Sequence, residues 1–391
     1  MTKNGKYIFE SLPYKKKEVS PNIMIITVTN LEDFKRFYKV PWMVYKNNNY
    51  WVPPFWSETR DFFKIKNIFW NHSECCLFIA YKNESVVGRI AAIIDHSLKN
   101  TNNKKIGFFG FFECIEDKKV AMELYKIAEE WLKSKGIIHI KGPINARIDM
   151  GAGFLTEEFD SIPYLIGYLN PGYYNDFAKD FGMKKSLDLI SYHIDLNKEI
   201  PEKIKHTSER CSKEGIKIRK FNRWQSKKEL DCFIDIINKE FSDHFGFSEV
   251  PKEEVKSRFG LKNLKWIVDP NLFLIAEIDN KPIGCRWSLP DYNLIFKSLN
   301  GRLGIIGILK VIFKRRKINR GRFIIMGIRK EHRGKGIGTC MNYHTLVEMK
   351  KRGYKSAEYG WIDENNIASR KAGEKIGGKQ YKTYRIYEKN L

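Results

Sequence analysis

The stretch Ile328-Arg-Lys-Glu-His-Arg-Gly-Lys-Gly-Ile-Gly-Thr339 decides the fold of the C-terminal half of this chain. It follows the hydrophobic segment 323–328, and the residues after it have the apolar spacing of an amphipathic helix. Its three glycines let the backbone approach a ligand closely, and the start of the helix directs N–H groups to the same point. Arg333 and Lys335 add positive charge there. The stretch therefore predicts an anion site that fits a pyrophosphate.

Two other phosphate-binding loops are excluded by their spacing. A P-loop has the pattern GxxxxGK[ST], which the chain lacks. A dinucleotide-binding loop has GxGxxG, whereas the glycines at 334, 336 and 338 give GxGxG. A glycine-rich turn without a ligand is the plain alternative.

A weak internal repeat runs through the chain. Leu77-Phe-Ile-Ala80 and Phe273-Leu-Ile-Ala276 are apolar strands, and in both cases a glycine follows eight residues after the alanine. Both halves then continue with a strand, an amphipathic helix and a further strand. Gly136 and Gly353 stand where a helix is expected to end with a C′ glycine. The order of these elements predicts two α/β domains built on one plan.

The length of 391 residues also suits two domains, and 42% hydrophobic residues suffice for two cores. The predicted organisation is a basic, poorly ordered N-terminal tail at 1–21, a first domain at 22–197, a linker at 198–214 and a second domain at 215–391. The second domain carries an insertion at 293–320.

The chain has 70 basic and 46 acidic residues, a net charge of +24. Such an excess predicts an anionic partner: a nucleic acid, an anionic membrane surface or a polyphosphate ligand. The seven cysteines include no CxxC pair, which is typical of a reduced protein without a structural zinc site. No apolar signal segment precedes Pro21, and the longest apolar run, 304–313, is too short to span a membrane. We therefore expect a cytoplasmic protein.

The segment Arg333-Gly-Lys-Gly336-Ile-Gly338 resembles the pattern [RQ]-x-x-G-x-[GA] of the GCN5-related N-acetyltransferase (GNAT) superfamily. Asp363-Glu-Asn-Asn366 and Tyr381–Glu388 are similar to the motifs that follow in that family. The resemblance covers 215–391 well, and the whole chain is similar to a bacterial group of tandem-domain acyl-CoA N-acyltransferases. It implies an α/β fold of two tandem GNAT-like domains with mixed, mostly antiparallel sheets flanked by helices, the first domain being degenerate.

The resemblance implies a co-substrate, acetyl-CoA or a longer acyl-CoA, and no metal. The residues that it implies for coenzyme binding are Met326, Gly327, Ile328, Arg333, Gly334, Lys335, Gly336, Ile337, Gly338, Thr339 and Asn366. The amides from Arg333 to Thr339 would hold the pyrophosphate. An N–H group near Met326 to Ile328 would polarise the thioester carbonyl, on a strand that bulges and separates from its neighbour.

The family's tyrosine, the usual acid for the departing thiolate, falls on Gly373 here. Tyr384 and Tyr343 are candidates for that acid, although each also suits a core position. Glu364 and Asp363 are candidates for the base or for amine binding. Their alternative role is to cap the helix that follows.

The first copy has Glu113-Cys-Ile-Glu-Asp-Lys-Lys119 in place of the glycine loop. Acids at 113, 116 and 117 would repel a diphosphate. We therefore expect only the second domain to bind coenzyme A.

Residues 302–335 contain twelve lysines and arginines and a single acid, Glu331. Within this stretch the apolar residues 303–313 run into Lys314-Arg-Arg-Lys317. This pattern fits a buried helix between the domains, an amphipathic helix on an anionic membrane or lipid, or, less well, a nucleic-acid contact.

The leading hypothesis is an enzyme that moves an acyl group from coenzyme A to a primary amine. The amine is that of a sphingoid-type lipid or of a small polar molecule. The alternatives are a non-catalytic protein that binds acyl-CoA or lipid, and a basic protein associated with nucleic acid.

Overall fold

The structure is a computed structural model that describes residues 6–13, 15–98, 105–241 and 269–391. The described chain forms two compact units. Unit 1 consists of Met1–Asp188, Asn293–Phe313 and Thr383–Leu391, and unit 2 consists of Leu189–Tyr292 and Lys314–Lys382. Neither unit is one continuous segment of the sequence.

The strands are, in chain order, β1 (Lys16–Ser20), β2 (Ile23–Thr27), β3 (Ser73–Lys82), β4 (Ser85–Asp95), β5 (Ile106–Cys114), β6 (His139–Gly142), β7 (Phe154–Leu155), β8 (Lys184–Asp195), β9 (Lys217–Lys220), β10 (Phe273–Ile278), β11 (Lys281–Pro290), β12 (Arg320–Ile328), β13 (Ser356–Asp363) and β14 (Lys379–Asn390). The α-helices of the described chain are α1 (Leu31–Val44), α2 (Trp56–Phe62), α3 (Lys118–Ser134), α4 (Tyr173–Asp180), α5 (Glu202–Lys213), α6 (Ser226–Phe241), α7 (Asn293–Phe296), α8 (Ile305–Lys314), α9 (Ile337–Lys351) and α10 (Ile367–Lys375).

The sheet of unit 1 has the order β1-β2-β3-β4-β5-β6 and continues with the C-terminal part of β14. Strands β5 and β6 pair in parallel, and the other neighbours are antiparallel. Strand β7 pairs with β14 as well. Most residues of β3 and β4 are buried, because the two strands lie inside the sheet.

Helix α3 covers this sheet because its apolar residues recur at helical spacing. Its buried residues are Val120, Ala121, Leu124, Tyr125, Ala128 and Leu132. Asp117 caps its N-terminus by accepting hydrogen bonds from the amides of Lys119 and Val120, at 2.9 and 3.4 Å. Gly136 follows the helix with a φ of +74°, as expected for a C′ glycine.

The sheet of unit 2 has the order β9-β10-β11-β12-β13 and continues with the C-terminal part of β8. Here β12 and β13 pair in parallel, and the other neighbours are antiparallel. Helices α5 and α9 bury Cys211 and Ile337 in a common cluster with strand residues. Gly353 follows α9 with a φ of +75°. Both sheets are therefore mixed and mostly antiparallel with helices packed on them, which confirms the predicted fold class.

The division of the chain differs from the predicted domains at three places. Residues 293–313 of the insertion lie in unit 1, where the Trp42 indole N–H donates to the Asn300 side chain at 2.8 Å. The last nine residues, 383–391, also lie in unit 1, because β14 pairs there with β6. Of the predicted N-terminal tail, Ile8–Ser11 forms a 3₁₀ turn and β1 pairs with β2. Residues 1–5 and 14 of that tail lie outside the described residues.

Candidate active site

The predicted phosphate loop lies in unit 2, between the end of β12 and the start of α9. A 3₁₀ turn at Lys330–His332 leads from the strand into the loop. Gly334 and Gly336 have φ values of +82° and +84°, in the left-handed region that glycine adopts without strain. Gly336 is the N-cap of α9 and offers no capping side chain, so it leaves the first amides of the helix accessible.

The backbone N–H groups of this loop are available to a ligand. Within the described chain, no acceptor is hydrogen-bonded to the amides of Gly334 through Thr339. The first backbone hydrogen bond of α9 runs from the Cys340 amide to the Gly336 carbonyl, at 2.9 Å. Consecutive donors at a helix N-terminus, where the helix dipole is positive, suit the pyrophosphate of coenzyme A.

Helix α5, which lies within the predicted linker, packs directly against the loop. A Cβ atom at Gly336 would lie 2.8 Å from Thr207 Cγ2 and 3.1 Å from Arg210 Nη2. The Cys211 thiol donates to the Lys335 carbonyl at 3.6 Å. Both the positive φ and the lack of space therefore require glycine at 336. The Arg210 guanidinium adds a cation beside the loop.

The side chain of Arg333 is held by the protein itself. Its Nε donates to the Ile328 carbonyl at 3.2 Å, and its Nη2 is bonded to the carboxylate of Glu240. Glu240 is buried and lies on α6. This pair fixes the start of the loop and partly neutralises Arg333. The attraction for an anion therefore depends mainly on the loop amides and on the exposed Lys335.

The strand that leads into the loop separates from its parallel neighbour. Strand β12 pairs with β13 over Arg320–Phe323 only, whereas it stays paired with β11 as far as Ile328. A register shift in the pairing with β11 leaves Ile324 as an extra residue, a β-bulge. Met326–Ile328 consequently have no partner on β13, and this strand edge is where an extended pantetheine arm would pair.

A buried group of polar side chains lies where β12 and β13 begin to separate. Arg322 and Glu358 have side chains that are 2% exposed, and Arg322 Nη1 is 3.0 Å from Glu358 Oε1. The Tyr381 hydroxyl donates to the Glu358 carboxylate, and the Tyr381 ring centre is 5.7 Å from that of His193. Burial lowers the pKa of His193, so its imidazole is neutral at pH 7. Such a cluster is typical of a functional site.

No motif in the sequence singles out this cluster. Arg322 is one of the twelve basic residues at 302–335, and Glu358 lies within the strand predicted to follow the second amphipathic helix. The signal that was available is the acid itself, because an acid at the centre of a buried strand requires a partner.

A second buried cation lies against the last residue pair before the strands separate. The guanidinium carbon of Arg286 is 4.4 Å from the Phe323 ring centre and 4.9 Å from that of Tyr359. The two rings and the guanidinium are buried together. Burial lowers the pKa of Arg286 to about 10, so the guanidinium keeps its charge at neutral pH.

Gly373, which replaces the family's tyrosine, is tightly enclosed. A Cβ atom there would lie 3.1 Å from Tyr359 Cδ1 and 3.2 Å from Tyr192 Cδ2. The two rings therefore fill the space into which a side chain at 373 would extend. Tyr359 brings a hydroxyl-bearing ring to this position from β13 instead of from α10.

The predicted base candidates lie at the end of β13. Asp363 is the last residue of the strand, and its Oδ1 accepts the Asn365 amide at 2.8 Å. Glu364 follows it and is half-buried. The Asn366 side chain accepts the Ser369 amide at 3.0 Å and caps α10. Asp363 thus supports the turn before the helix, and the catalytic roles of Asp363 and Glu364 stay predictions.

Tyr384, the predicted acid, lies in unit 1. It is 1% exposed, and its hydroxyl donates to the Tyr168 carbonyl at 3.3 Å. The loop and Tyr359 lie in unit 2. The role of Tyr384 stays a prediction.

Unit 1 has a corresponding bulge in β5, but the segment after β6 occupies the strand edge beside it. Phe111 has a φ of +49°, and its amide donates to the Asn145 side chain at 2.6 Å. The Ile144 amide donates to the Phe109 carbonyl at 2.8 Å. The segment that follows β6 therefore bonds to this strand edge, whereas among the described residues of unit 2 no segment forms backbone hydrogen bonds with the corresponding edge of β12.

The start of α3 in unit 1 also differs from the loop in unit 2. The carboxylate of Asp117 already occupies the first amides of α3. Glu113, just before it, is 3.8 Å from the Arg89 guanidinium and accepts the Tyr174 hydroxyl at 2.9 Å. Burial raises the pKa of Glu113 to about 7. These features favour unit 2 as the unit that binds coenzyme A.

Unit 2 therefore has the three features that the sequence resemblance implies for an N-acyltransferase: a bulged strand, a separated parallel pair and an open helix N-terminus. The chain belongs to the GCN5-related N-acetyltransferase (GNAT) family, and the acetyltransferase (GNAT) family pattern matches residues 231–377. It is 30% identical over 378 residues to a bacterial ceramide synthase of Caulobacter vibrioides (strain NA1000 / CB15N), covering 95% of this chain and 98% of the relative. It is 29% identical over 375 residues to protein YghO of Escherichia coli (strain K12), covering 94% and 95%.

The tandem arrangement is found in a solved structure as well. A tandem GNAT protein from the clavulanic acid biosynthesis pathway matches with a TM-score of 0.57 and 10% identity, over 94% of this chain and 98% of that chain. At this identity the match supports the fold alone. Among the described residues, no group of three or more His, Cys, Asp or Glu side chains is placed to hold a metal ion. No helix in the described part of the chain is long and apolar enough to cross a membrane.

Proposed function

We propose that this N-acyltransferase moves a long-chain acyl group from coenzyme A to the primary amine of a sphingoid-type lipid. The observation that carries the proposal is the similarity over nearly the full length of both chains to a protein named a bacterial ceramide synthase. A ceramide is the amide of a fatty acid with a sphingoid base, so its synthesis requires an acyl donor and a long-chain amine. The open loop amides of unit 2 supply a place for the donor.

The coenzyme would lie along unit 2 from the loop to the bulge. The amides from Gly334 to Thr339 would hold the pyrophosphate, and Lys335 would lie beside the phosphates. The strand edge at Met326–Ile328 would pair with the pantetheine arm. An N–H group on this edge would donate to the thioester oxygen as negative charge develops there. Asn366 caps α10, so any contact of its side chain with the coenzyme would compete with that capping bond.

The reaction is a direct transfer. The neutral amine attacks the thioester carbon, a C–N bond forms, and the C–S bond breaks. One proton leaves the amine nitrogen, and the thiolate of coenzyme A takes up one proton or departs as an anion. Asp363 and Glu364 at the end of β13 are proposed to bind the amine or accept its proton. The buried Glu358, supported by Arg322 and Tyr381, is a further candidate for the base.

The acid for the thiolate needs a source other than residue 373. We propose Tyr359 for this role, because its ring lies against Gly373 and the guanidinium carbon of Arg286 is 4.9 Å from its ring centre. The cation of Arg286 would stabilise the thiolate as it leaves. Tyr384 is the alternative, and its hydroxyl would have to leave the Tyr168 carbonyl to act.

A lipid acceptor would bring the enzyme to a membrane surface. The net charge of +24 favours peripheral contact with the anionic, cytoplasmic leaflet. A small polar amine is the alternative acceptor, and it would require no membrane contact.

The first test is a thermal-shift series with coenzyme A, acetyl-CoA and palmitoyl-CoA, with free palmitate as the control. A ligand at 100 times its Kd adds about 2.7 kcal/mol to the free energy of unfolding, which such an assay detects easily. We expect the largest shift with palmitoyl-CoA. Equal shifts with all three would favour a short acyl donor. No shift with any of them would contradict the assignment of the loop to coenzyme A.

The second candidate function is a protein that binds acyl-CoA or lipid without turnover. The glycine at 373 favours it, because the family's tyrosine is missing. Steady release of coenzyme A that depends on both the acyl donor and an amine would contradict this candidate.

A further inference from the structure

Helix α8 directs its apolar side chains away from the protein. Of its ten residues only Gly307 is buried. Ile305, Ile306 and Phe313 are 81%, 82% and 74% exposed. The other exposed apolar residues of the helix are Ile308, Leu309 and Ile312. A contiguous exposed apolar group of this kind marks an interaction surface.

The six exposed residues form one continuous face. At 100° per residue they fall within an arc of about 160°, and Gly307 and Val311 fall on the opposite side of the helix. We call the exposed side, Ile305, Ile306, Ile308, Leu309, Ile312 and Phe313, the docking face. It contains no polar side chain, so moving it from water into an apolar environment is favourable.

The segment before α8 is packed on unit 1. The Trp56 amide donates to the Gly301 carbonyl at 3.1 Å, and the Phe55 and Phe296 ring centres are 4.9 Å apart. A Cβ atom at Gly301 would lie 2.8 Å from Trp42 Cζ2. These contacts anchor the segment 296–301, from which α8 starts four residues later, on unit 1.

Positive charge borders the docking face. Lys310 lies on the helix itself, and Lys314 with the 3₁₀ turn Arg315–Lys317 ends it, all four of these terminal residues being exposed. The sequence has no acid between Asp291 and Glu331. An apolar face bordered by lysine and arginine alone matches a surface that is apolar inside and anionic outside.

We propose that α8 docks the enzyme on an anionic lipid bilayer. The docking face enters the boundary between headgroups and acyl chains, a depth of about 5–10 Å, and the basic residues at its end contact lipid phosphates. This proposal rests on the proposed function at one point: the lipid acceptor resides in such a bilayer. It gives the enzyme access to an amine that does not leave the membrane.

The test is co-sedimentation of the full chain with vesicles of phosphatidylcholine, with and without roughly one third phosphatidylglycerol. We expect the wild type to bind the anionic vesicles, and Ile306→Glu/Phe313→Glu to bind them at least tenfold more weakly. The matched control is Ile65→Glu/Ile138→Glu, which changes two exposed isoleucines of unit 1 outside α8 and should bind like the wild type. Equal binding by the wild type and the α8 variant would overturn the proposal.

A second variant tests the charge separately. Arg315→Gln/Arg316→Gln/Lys317→Gln should lose the preference for anionic over neutral vesicles. All variants change exposed side chains, and circular dichroism checks that each one is folded. If the docking face instead joins two copies of the chain, size-exclusion chromatography would show a dimer that Ile306→Glu/Phe313→Glu converts to a monomer, and bilayer docking would be wrong.

Turnover of acyl-CoA with a water-soluble amine, measured without vesicles, separates this proposal from the proposed function. Turnover without vesicle binding would overturn docking and leave the acyltransferase in place. Vesicle binding without turnover on any amine would leave docking in place and overturn the acyltransferase.

Discussion

Gly336→Ala tests whether the phosphate loop needs glycine at this position for its backbone conformation, because the change adds a methyl group but no charge. The residue has a φ of +84°, and the added methyl group would lie 2.8 Å from Thr207 Cγ2. A left-handed conformation costs a residue with a Cβ atom roughly 1–2 kcal/mol, and overpacking adds about 1–3 kcal/mol. The two costs together predict a loss of about 2–5 kcal/mol in the free energy of unfolding.

The matched control is Gly353→Ala at the other end of α9. Its φ is +75°, but no atom lies within 4 Å of an added Cβ, so only the backbone cost of roughly 1–2 kcal/mol applies. Urea unfolding followed by tryptophan fluorescence measures both losses. Titration calorimetry with coenzyme A then measures binding to each variant.

The two variants should differ in coenzyme binding. Loss of one hydrogen bond to a charged phosphate weakens binding by roughly 1.5–3 kcal/mol, which is about tenfold or more in Kd. We expect this loss in Gly336→Ala and an unchanged Kd in Gly353→Ala. Gly336→Glu should abolish coenzyme binding, because it adds a negative charge beside the phosphates, and circular dichroism checks that this variant is folded. Wild-type affinity in both 336 variants would refute the placement of the site.

Three further predictions concern the polar side chains of Glu358, Tyr359 and Glu388. Glu358→Gln should lower the free energy of unfolding by roughly 3–5 kcal/mol, because it removes the carboxylate charge that pairs with the buried Arg322 guanidinium. The double variant Arg322→Met/Glu358→Leu should lose less stability than the sum of the losses in Arg322→Met and in Glu358→Leu, and additive losses in chemical unfolding would contradict this. Tyr359→Phe should lower kcat at least tenfold and leave the Kd of coenzyme A unchanged, and an unchanged kcat in steady-state assays would exclude its hydroxyl as the acid. Burial raises the pKa of Glu388, but hydrogen bonds, first of all from Lys141, outweigh burial and lower it to about 2. The group therefore stabilises the fold above pH 4.5 and loses this contribution as the pH falls toward 2. Since Glu388 is about one third exposed, the contribution is roughly 1–2 kcal/mol, so Glu388→Gln should be less stable at pH 7 and should show a weaker loss of stability in acid.

The parts of the fold that depend on residues close together in the sequence could be predicted from it. The C′ glycines 136 and 353 have positive φ values, as expected from their places after two amphipathic helices. The loop at 334–339 has the predicted backbone because its glycines, its strand and its helix are contiguous. Local rules suffice where every participating residue lies within one turn or one helix.

Pairings between distant segments were not predictable in the same way. The alternating pattern of 383–391 predicts a strand, but it does not specify that β14 pairs with β6 in unit 1. From the sequence alone, the apolar stretch of α8 suits a buried helix as well as an exposed one. The segment before it contacts Trp42, which is 258 residues away from Asn300 in the sequence. The ion pair between Glu358 and Arg322 forms because the parallel pairing of β12 and β13 brings the two residues side by side, and the sequence does not specify this pairing.

The central claim is the transfer of a long acyl chain from coenzyme A, bound in unit 2, to a lipid amine. The most direct measurement is mass spectrometry of the products formed from palmitoyl-CoA and a sphingoid base, with wild type and Gly336→Glu in parallel. We expect the N-acyl sphingoid base and coenzyme A in equal amounts from the wild type, and neither from the variant. Wild-type protein that binds palmitoyl-CoA but forms no amide with sphingoid bases or small amines would contradict the claim.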